Sequence, residues 1–248
     1  MQKKVGIFVQ FCSNFSDFLS VYDSIIVFDT ETSGLDFAKD DIIEISVVQI
    51  KGRDDPKVSC EFDRYIFLGR PLDQAVVDLT GITDEKLNEC GLDRTEVAKE
   101  VAEIFKGHNL VVAHNANFDL HFLTQMLKKT GVSLDMSKLD FLDTLTVYKD
   151  RRSFPHKLCN AISEYNLEDK AVNSHTSIDD AYAALLVLDA MTDERDDLEC
   201  YINLFGYNPK YSLLPVRELT KITYCQQPYG AKLPIYFDTA NFRKASQL

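Results

Sequence analysis

The sequence predicts an α/β domain with a mixed sheet, followed by a C-terminal extension of different composition. Three strand-like segments come first, and helical and strand-like segments then alternate, an order typical of α/β domains. The chain has 248 residues, of which 45% are apolar and 27% are charged, enough for one sizeable core. No apolar run approaches the roughly 20 residues that span a bilayer, so no membrane partner is expected.

Hydrophobic periodicity gives the individual elements. Compact or alternating apolar runs predict strands at residues 24–30, 41–50, 59–68 and 110–113. Apolar residues spaced three or four apart predict helices at residues 93–105, 118–129, 144–150, 157–165 and 178–190. Asp93 and Asp143 each precede a predicted helix, where an aspartate side chain can cap the first turn.

Composition divides the chain into a core domain at residues 23–193 and two flanking extensions, residues 1–22 and 194–248. In the first extension, Val5, Ile7, Val9 and Phe11 alternate with other residues, which favours a short strand over a secretion signal. The six cysteines are scattered without metal-type spacing. Free thiols in a reducing compartment explain them best, so a cytoplasmic location is expected.

The C-terminal extension is basic and rich in aromatic residues. Residues 201–248 contain six Lys or Arg and two Asp or Glu, whereas the whole chain has a net charge of −12. This overall charge argues against binding long duplex DNA through a broad basic face. The nine aromatic residues of the extension leave two alternatives open: the rings pack against the core domain, which we favour, or they stack on single-stranded bases.

Two carboxylates lie at the C-terminal end of the first predicted strand. Asp29 and Glu31 are two residues apart, so in a strand their side chains point to the same face. Their mutual repulsion is costly unless a cation lies between them, and oxygen ligands favour Mg²⁺ or Mn²⁺. The pair alone is weak evidence, because so acidic a chain contains Asp-x-Glu by chance.

Two further segments place carboxylates in the first turn of a helix. Asp119 opens the helix after the strand at residues 110–113, a position where a carboxylate is ordinarily just a favourable contact with the helix dipole. Asp180 opens the helix near Ser177, and Asp179 points about 100° away from it, so only one of them should face a common site. His175 lies in the preceding loop and is a candidate general base.

Taken together, these segments resemble the DEDD-type, DnaQ-like exonuclease family. The pattern consists of Asp29-x-Glu31, Asn115-x-x-Phe118-Asp119 and His175-x-x-x-x-Asp180. It is most similar to the histidine-containing branch, which includes the exonuclease domain of the DNA polymerase III epsilon subunit. The segments 28–34, 42–45, 80–83 and 143–145 match in the same order, so that the resemblance covers about residues 24–190.

The resemblance implies a ribonuclease H-like fold, in which helices flank a mixed five-stranded sheet. It also implies a 3′–5′ exonuclease that hydrolyses DNA phosphodiester bonds and releases nucleoside monophosphates with two Mg²⁺ or Mn²⁺ ions. The implied metal ligands are Asp29, Glu31, Asp119 and Asp180, with His175 as the base that takes a proton from water. The implied substrate-binding residues are Thr32, Asn115, Phe118, Gly81, Ile82 and Thr83.

Two other functions remain open at this stage. An RNA exonuclease would use the same chemistry and differ only in how the 2′-hydroxyl is read. A nucleic-acid or partner-binding module with a decayed site is the third alternative, although all five catalytic positions are filled. The expected partners are a nucleic acid with a free 3′ end and, for proofreading, a polymerase or a sliding clamp. Residues 211–215 faintly resemble a clamp-binding peptide but lack its leading Gln.

Overall fold

A five-stranded mixed sheet lies at the centre of the computed structural model, which describes residues 15–171, 174–211 and 213–248. Its strands are β1 Ser24–Thr32, β2 Ile42–Lys51, β3 Lys57–Tyr65, β4 Asn109–Ala113 and β5 Asp140–Asp143. Their order is β3-β2-β1-β4-β5, with β2 antiparallel to both β1 and β3. β4 runs parallel to β1 and to β5. The predicted α/β architecture and strand number are confirmed; the strand predicted within residues 5–11 lies outside the described residues.

Eight helices surround this sheet in the described part of the chain. They are α1 Phe15–Val21, α2 Gln74–Thr80, α3 Asp84–Cys90, α4 Arg94–Ile104, α5 Ala116–Thr130, α6 Thr144–Arg151, α7 Leu158–Glu164 and α8 Ser177–Glu194. Single turns of 3-10 helix cover Met136–Lys138, Leu198–Tyr201, Ile235–Phe237, Thr239–Asn241 and Ala245–Gln247. None of the described helices is long and apolar enough to cross a lipid bilayer.

The central strand β1 divides the core into two layers. Ile25 and Val27 belong to a cluster that includes α7 and α8, whereas Ile26 and Phe28 pack with α4 and α5. This division follows from the alternation of side chains along a strand, and both faces of β1 are buried. The four apolar residues therefore fix β1 in place just before Asp29.

Three elements of the core domain were not predicted from the sequence. Strand β5 has only four residues, Asp140–Asp143, and an aspartate stands at each end. Helices α2 and α3 have seven residues each, too few for a clear helical period. A small cluster formed by Ile43, Ile82 and Leu87 stabilises this pair of helices through tertiary packing.

The C-terminal extension forms a second sheet that is packed against the first. Its strands are β6 Leu204–Tyr207, β7 Thr223–Gln226 and β8 Arg243–Lys244, in that spatial order. The backbone N–H of Asn203 donates to the Phe141 carbonyl at 2.7 Å. In return, the Phe141 N–H donates to the Asn203 side-chain oxygen at 3.0 Å. The extension therefore continues from the edge strand β5.

The aromatic residues of the extension fall into two groups. Tyr201, Phe205 and Tyr224 are fully buried and belong to the core clusters, as the packing alternative expects. Tyr211, Tyr229 and Phe237 have large exposed fractions instead. Packing therefore explains some of these rings and leaves others on the surface.

Asp143 connects the helices that follow β4 and β5. Its Oδ1 accepts the N–H groups of Asn115, Ala116 and Leu145 at 2.8, 3.1 and 3.1 Å. Its Oδ2 accepts the Thr146 hydroxyl at 2.7 Å. The predicted cap of α6 is thus confirmed, and the same carboxylate also satisfies the first N–H groups around the start of α5.

We expect Asp143→Ala to destabilise the protein by roughly 2–4 kcal/mol, because N–H donors at the starts of two helices lose their acceptor. Asp143→Asn keeps an oxygen that can occupy the Oδ1 position and should cost roughly 1 kcal/mol or less. Urea unfolding with an unchanged m-value measures both effects. Equal destabilisation by the two substitutions would show that the hydrogen bonds to the Asp143 oxygen do not account for its contribution to stability.

Candidate active site

Carboxylates from β1 and α8 meet at the carboxyl end of the central strand. Asp29 and Glu31 lie near the end of β1, and Asp180 lies in the first turn of α8, which packs against β1 and β2. One carboxylate oxygen from each of the three residues lies within 4.8 Å of the others. Asp179 instead accepts a hydrogen bond from Ser174. Two distant parts of the sequence therefore supply one acidic cluster.

Asp119 joins this cluster through Thr30. The Asp119 Oδ1 accepts the Thr30 hydroxyl at 2.8 Å and the Thr30 backbone N–H at 3.1 Å. Thr30 stands between Asp29 and Glu31, so this contact holds the start of α5 against the end of β1. The charge of Asp119 also raises the pKa of Asp29, which places the fourth carboxylate in the same electrostatic environment.

Burial and mutual repulsion perturb these carboxyl groups strongly. Burial is the largest cause that raises the pKa of Asp29 well above its usual range, followed by the charges of Asp119 and Asp180. Burial and the charge of Asp180 raise the pKa of Glu31 to about 8. Burial raises the pKa of Asp119 to about 7, although its hydrogen bonds from Thr30 act in the opposite direction. The cluster therefore resists holding several negative charges without a counter-charge.

The chain itself supplies little positive charge to this cluster. Among the residues that the structure describes, no Lys or Arg forms an ion pair with Asp29 or Glu31. Closely spaced oxygen ligands without a protein counter-ion are the donor set that Mg²⁺ and Mn²⁺ prefer. The residues present thus fit divalent cations, which would hold Asp29, Glu31, Asp119 and Asp180 in their charged form.

A buried network fixes the beginning of α8 to the sheet. The Ser177 N–H donates to the Glu44 Oε2 at 3.0 Å, and the Ser177 and Ser46 hydroxyls are 2.6 Å apart. Glu44 is fully buried and lies directly opposite Glu31 in the β1–β2 register. Its hydrogen bond to Ser177 therefore positions the helix that carries Asp180.

His175 lies two residues before α8, outside the acidic cluster. It is exposed, and its φ of 56° places its backbone in the left-handed region. Asn115, at the start of α5, also has a backbone in the left-handed region, with a φ of 72°. Non-glycine residues in this region are uncommon and cluster at functional sites, where the surrounding structure compensates for the strain.

Three other predicted site residues lie near the ends of β1 and β4. Thr32 is buried, and its hydroxyl donates to the Gly34 carbonyl at 2.7 Å. Asn115 is exposed, whereas Phe118 is partly buried and packs edge-on against Phe37 with ring centroids 5.9 Å apart. The Asn115 side chain is therefore the most accessible of the three.

The predicted substrate loop at Gly81, Ile82 and Thr83 connects α2 and α3. Gly81 ends α2 with a φ of 68°, a conformation that glycine adopts without steric cost. Ile82 is 1% exposed and packs with Ile43 and Leu87, and Thr83 caps α3. The Ile82 side chain thus belongs to the core, so that a substrate contact of this residue would have to use its backbone.

Sequence reasoning missed the residues that hold the carboxylates in place. Thr30 binds Asp119, and Ser46 with Ser177 attaches α8 to β2. These contacts join residues that are 89 and 131 positions apart. No local pattern marks them, although the position of Thr30 between two predicted ligands is a signal that could have been used.

This fold, with an acidic cluster at the end of its central strand, defines a nuclease of the ribonuclease H-like class. Residues 26–188 match the RNase T family, which is described as exonuclease. The chain therefore belongs to the DnaQ-like exonuclease family, and the resemblance inferred from its motifs is confirmed.

Relatives of this chain include large bacterial polymerases. It is 29% identical over 221 residues to the DNA polymerase III PolC-type of Caldanaerobacter subterraneus subsp. tengcongensis, covering 89% of this chain and 14% of that protein. It is 32% identical over 176 residues to the PolC-type polymerase of Bacillus subtilis, covering 69% and 12%. The chain thus spans about one seventh or less of the length of these relatives.

Solved structures of exonuclease I share the fold. The E. coli exonuclease I complex with a dA16 oligonucleotide has a TM-score of 0.63 at 16% sequence identity, covering 71% of this chain and 42% of that chain. Its complex with a dT13 oligonucleotide has a TM-score of 0.61 at the same identity and coverage. At this identity, the likeness shows the common fold alone.

We expect the metal-free protein to lose stability as the pH rises from about 5 to about 8. The pKa values of Glu31 and Asp119 are raised by folding, to about 8 and about 7. Their stabilising contribution is therefore complete below their unfolded pKa values and is lost as the pH passes the folded ones. Melting temperatures in EDTA and in Mg²⁺ measure this dependence, and the increase caused by Mg²⁺ should be larger at about pH 8 than at about pH 6.

Glu31→Gln provides the control for this prediction. It removes one of the mutually repelling charges, so the metal-free variant should be more stable than the unmodified protein at high pH. The same variant should gain less from Mg²⁺ because it lacks a charged ligand. An equal Mg²⁺ increment in both proteins, or a flat pH profile in EDTA, would contradict the proposed metal site.

Proposed function

We propose that this chain is a 3′–5′ exonuclease that uses two divalent cations to hydrolyse DNA phosphodiester bonds and release nucleoside monophosphates. The observation that carries this proposal is the convergence of four carboxylates, Asp29, Glu31, Asp119 and Asp180, at the end of β1. Family membership supports nuclease chemistry. The polarity, the number of ions and the preference for DNA belong to the proposal.

Asp29, Glu31, Asp119 and Asp180 would hold the two cations, Mg²⁺ or Mn²⁺. When bound, these cations supply the positive charge that offsets negative charge on the phosphodiester oxygens during attack. The protein contributes by fixing the ligands beforehand: Thr30 holds Asp119, and Glu44 holds the N-terminus of α8. Carboxylates preorganised in this way need little rearrangement when the substrate arrives.

His175 is the candidate that takes a proton from the attacking water. The chain has five histidines. Both ring nitrogens of His114 lie within hydrogen-bond distance of other residues, and the Nε2 atoms of His121 and His156 contact backbone carbonyls. The His108 ring faces the Asp140 carboxylate. Among the described residues, only His175 combines an exposed side chain with a position directly before α8, the helix that carries Asp180, which makes it the candidate for proton transfer.

The 3′-terminal nucleotide would lie against the residues that surround the acidic cluster. Thr32, Asn115, Phe118 and the loop of Gly81, Ile82 and Thr83 are the proposed substrate contacts. DNA is the favoured substrate because the relatives are named as DNA polymerases and the similar solved structures contain DNA oligonucleotides. A DNA polymerase, or a sliding clamp, is accordingly the proposed protein partner in proofreading.

The first experiment compares the chain with its Asp29→Asn variant on 5′-labelled single-stranded DNA, duplex DNA and RNA with Mg²⁺ or Mn²⁺. We expect a ladder that shortens from the 3′ end of DNA and a loss of about a thousandfold in the variant, because bound metal contributes several kcal/mol. Asp54→Asn, at an exposed turn, is the matched control and should leave the rate unchanged.

The same assay separates the alternatives. Faster shortening of RNA than of DNA would replace the DNA exonuclease with an RNA exonuclease of the same chemistry. Binding of nucleic acid without cleavage in either metal would indicate a binding module. Products that shorten from the 5′ end, or full activity of Asp29→Asn, would contradict the proposal altogether.

We expect His175→Ala to reduce the turnover rate on the order of a hundredfold or more while cation binding is retained, because the variant lacks its general base. Added imidazole should restore part of this rate, since a free base can occupy the vacated space. Steady-state kinetics with and without imidazole, together with Mn²⁺ titration calorimetry, provide the measurement. Full activity of the variant would remove His175 from the mechanism.

A further inference from the structure

Three aromatic rings form an exposed surface beside the acidic site. We call Phe154, Tyr211 and Tyr229 the aromatic shelf; their exposed fractions are 66%, 62% and 48%. The rings of Phe154 and Tyr229 meet edge-on with centroids 5.2 Å apart. Burial and the neighbouring Tyr211 hydroxyl raise the pKa of Tyr229, which places Tyr211 next to this pair. Grouped apolar surface of this kind on a folded protein commonly marks an interaction site.

Buried contacts hold the shelf in place from below. The Gln227 side-chain amide donates to the Thr146 carbonyl at 2.9 Å and to the Asp150 carboxylate at 2.7 Å. The His156 ring stacks near Tyr229 with centroids 5.9 Å apart. Since Gln227 is 2% exposed, the segment that carries Tyr229 is fixed to α6, so the rings are arranged before any ligand binds.

The shelf is continuous with the edge of the active site. The His156 carbonyl lies 3.3 Å from the His114 Nε2. His114 directly precedes Asn115, and Asn115 precedes helix α5, whose first turn carries Asp119. Contacts through His156 and His114 therefore link Tyr229 to the segment of chain that leads into α5, the helix that carries Asp119.

The charge around the shelf suits a polyanion, although the chain as a whole is acidic. Its three segments, residues 152–157, 207–217 and 226–233, contain five Lys or Arg and no Asp or Glu, and one of the five, Arg152, is paired with Glu164 and Glu194. Lys149 of α6 is partly buried; burial lowers the pKa of its ammonium, and the charge of Asp143 at the end of β5 acts in the opposite direction. Its ammonium forms no hydrogen bond or ion pair with any residue in the described ranges, so it remains able to bind a phosphate.

We propose that the aromatic shelf stacks the bases of the single-stranded segment immediately upstream of the 3′-terminal nucleotide, while Lys149 contacts a phosphate of that segment. This inference rests on the proposed exonuclease function and adds the form of its substrate, an unpaired strand of several nucleotides. Aromatic faces accept every base, so the shelf binds without sequence preference. Paired bases cannot present their faces in this way, so a duplex end must be frayed before it occupies the shelf.

The test uses the double variant Phe154→Ala/Tyr229→Ala and two substrates. One is a twelve-nucleotide oligothymidylate, and the other is the p-nitrophenyl ester of thymidine 5′-monophosphate, which has no upstream bases. We expect the KM for the oligonucleotide to rise at least about tenfold with little change in kcat, because stacking is lost for at least one base. Hydrolysis of the ester should be unchanged.

Phe237→Ala is the matched control. Phe237 belongs to the same extension and is 66% exposed, but it packs on Tyr236, which hydrogen-bonds with Asp197 away from the shelf. Its removal should leave the kinetics of both substrates unchanged.

A second variant, Lys149→Gln, tests the phosphate contact. It should reduce the magnitude of the slope of log binding constant against log salt concentration by about 0.7, the value for one phosphate contact on a single strand.

Binding measured by fluorescence anisotropy in EDTA makes the test independent of turnover. The double variant should bind the labelled oligothymidylate about tenfold more weakly than the unmodified chain. If the double variant binds as tightly as the unmodified chain, or if Phe237→Ala raises the KM as much as the double variant does, the proposed role of the aromatic shelf is wrong. The nuclease proposal would remain intact in either case. Failure of the unmodified chain to hydrolyse both substrates would instead refute the proposed function, even if the shelf binds single strands.

Discussion

The repulsion among four carboxylates, drawn together at the end of one buried strand, is the constraint on which this site depends. Asp29 and Glu31 are held there because both faces of β1 are packed, and neither can move away without disturbing the core. Burial raises their pKa values because water no longer stabilises the charged forms. Such an arrangement is unfavourable by itself and becomes favourable when divalent cations replace the lost hydration. The repulsion that lowers the stability of the metal-free protein is relieved when the cations bind, and this relief contributes to the affinity for metal.

The rest of the fold keeps these carboxylates from separating. Thr30 binds Asp119, Asp143 fixes the start of α5, and the Glu44–Ser177 hydrogen bond fixes the start of α8. Each contact joins parts of the chain that are distant in sequence, so the site forms only when the whole sheet has formed. The extension attaches its own three-stranded sheet at the edge strand β5 and brings exposed aromatic rings to the same end of the central sheet. Catalytic chemistry and strand binding would then share one rigid support.

Local patterns were sufficient for the long elements, whereas the acidic residues were singled out only by the ordered set of motifs. The apolar run before Asp29 and the ordered spacing of Asn115, Asp119, His175 and Asp180 carry that information in the sequence itself. Strand β5 could not be predicted because its four residues gain their conformation from pairing with β4. The contacts of Thr30 and Ser177, and the core position of Ile82, depend on tertiary neighbours that no short window of sequence contains. The division of the extension's aromatic rings into buried and exposed groups has the same origin.

Anomalous diffraction from crystals grown with Mn²⁺ would locate the divalent cations bound to this protein. We expect two anomalous peaks at the end of β1, with Asp29, Glu31, Asp119 and Asp180 as the protein ligands. Both peaks should weaken or disappear in Asp29→Asn crystals prepared in the same way. The absence of a peak at the acidic cluster, or manganese bound elsewhere while these four carboxylates hold no metal, would rule out the proposed metal site.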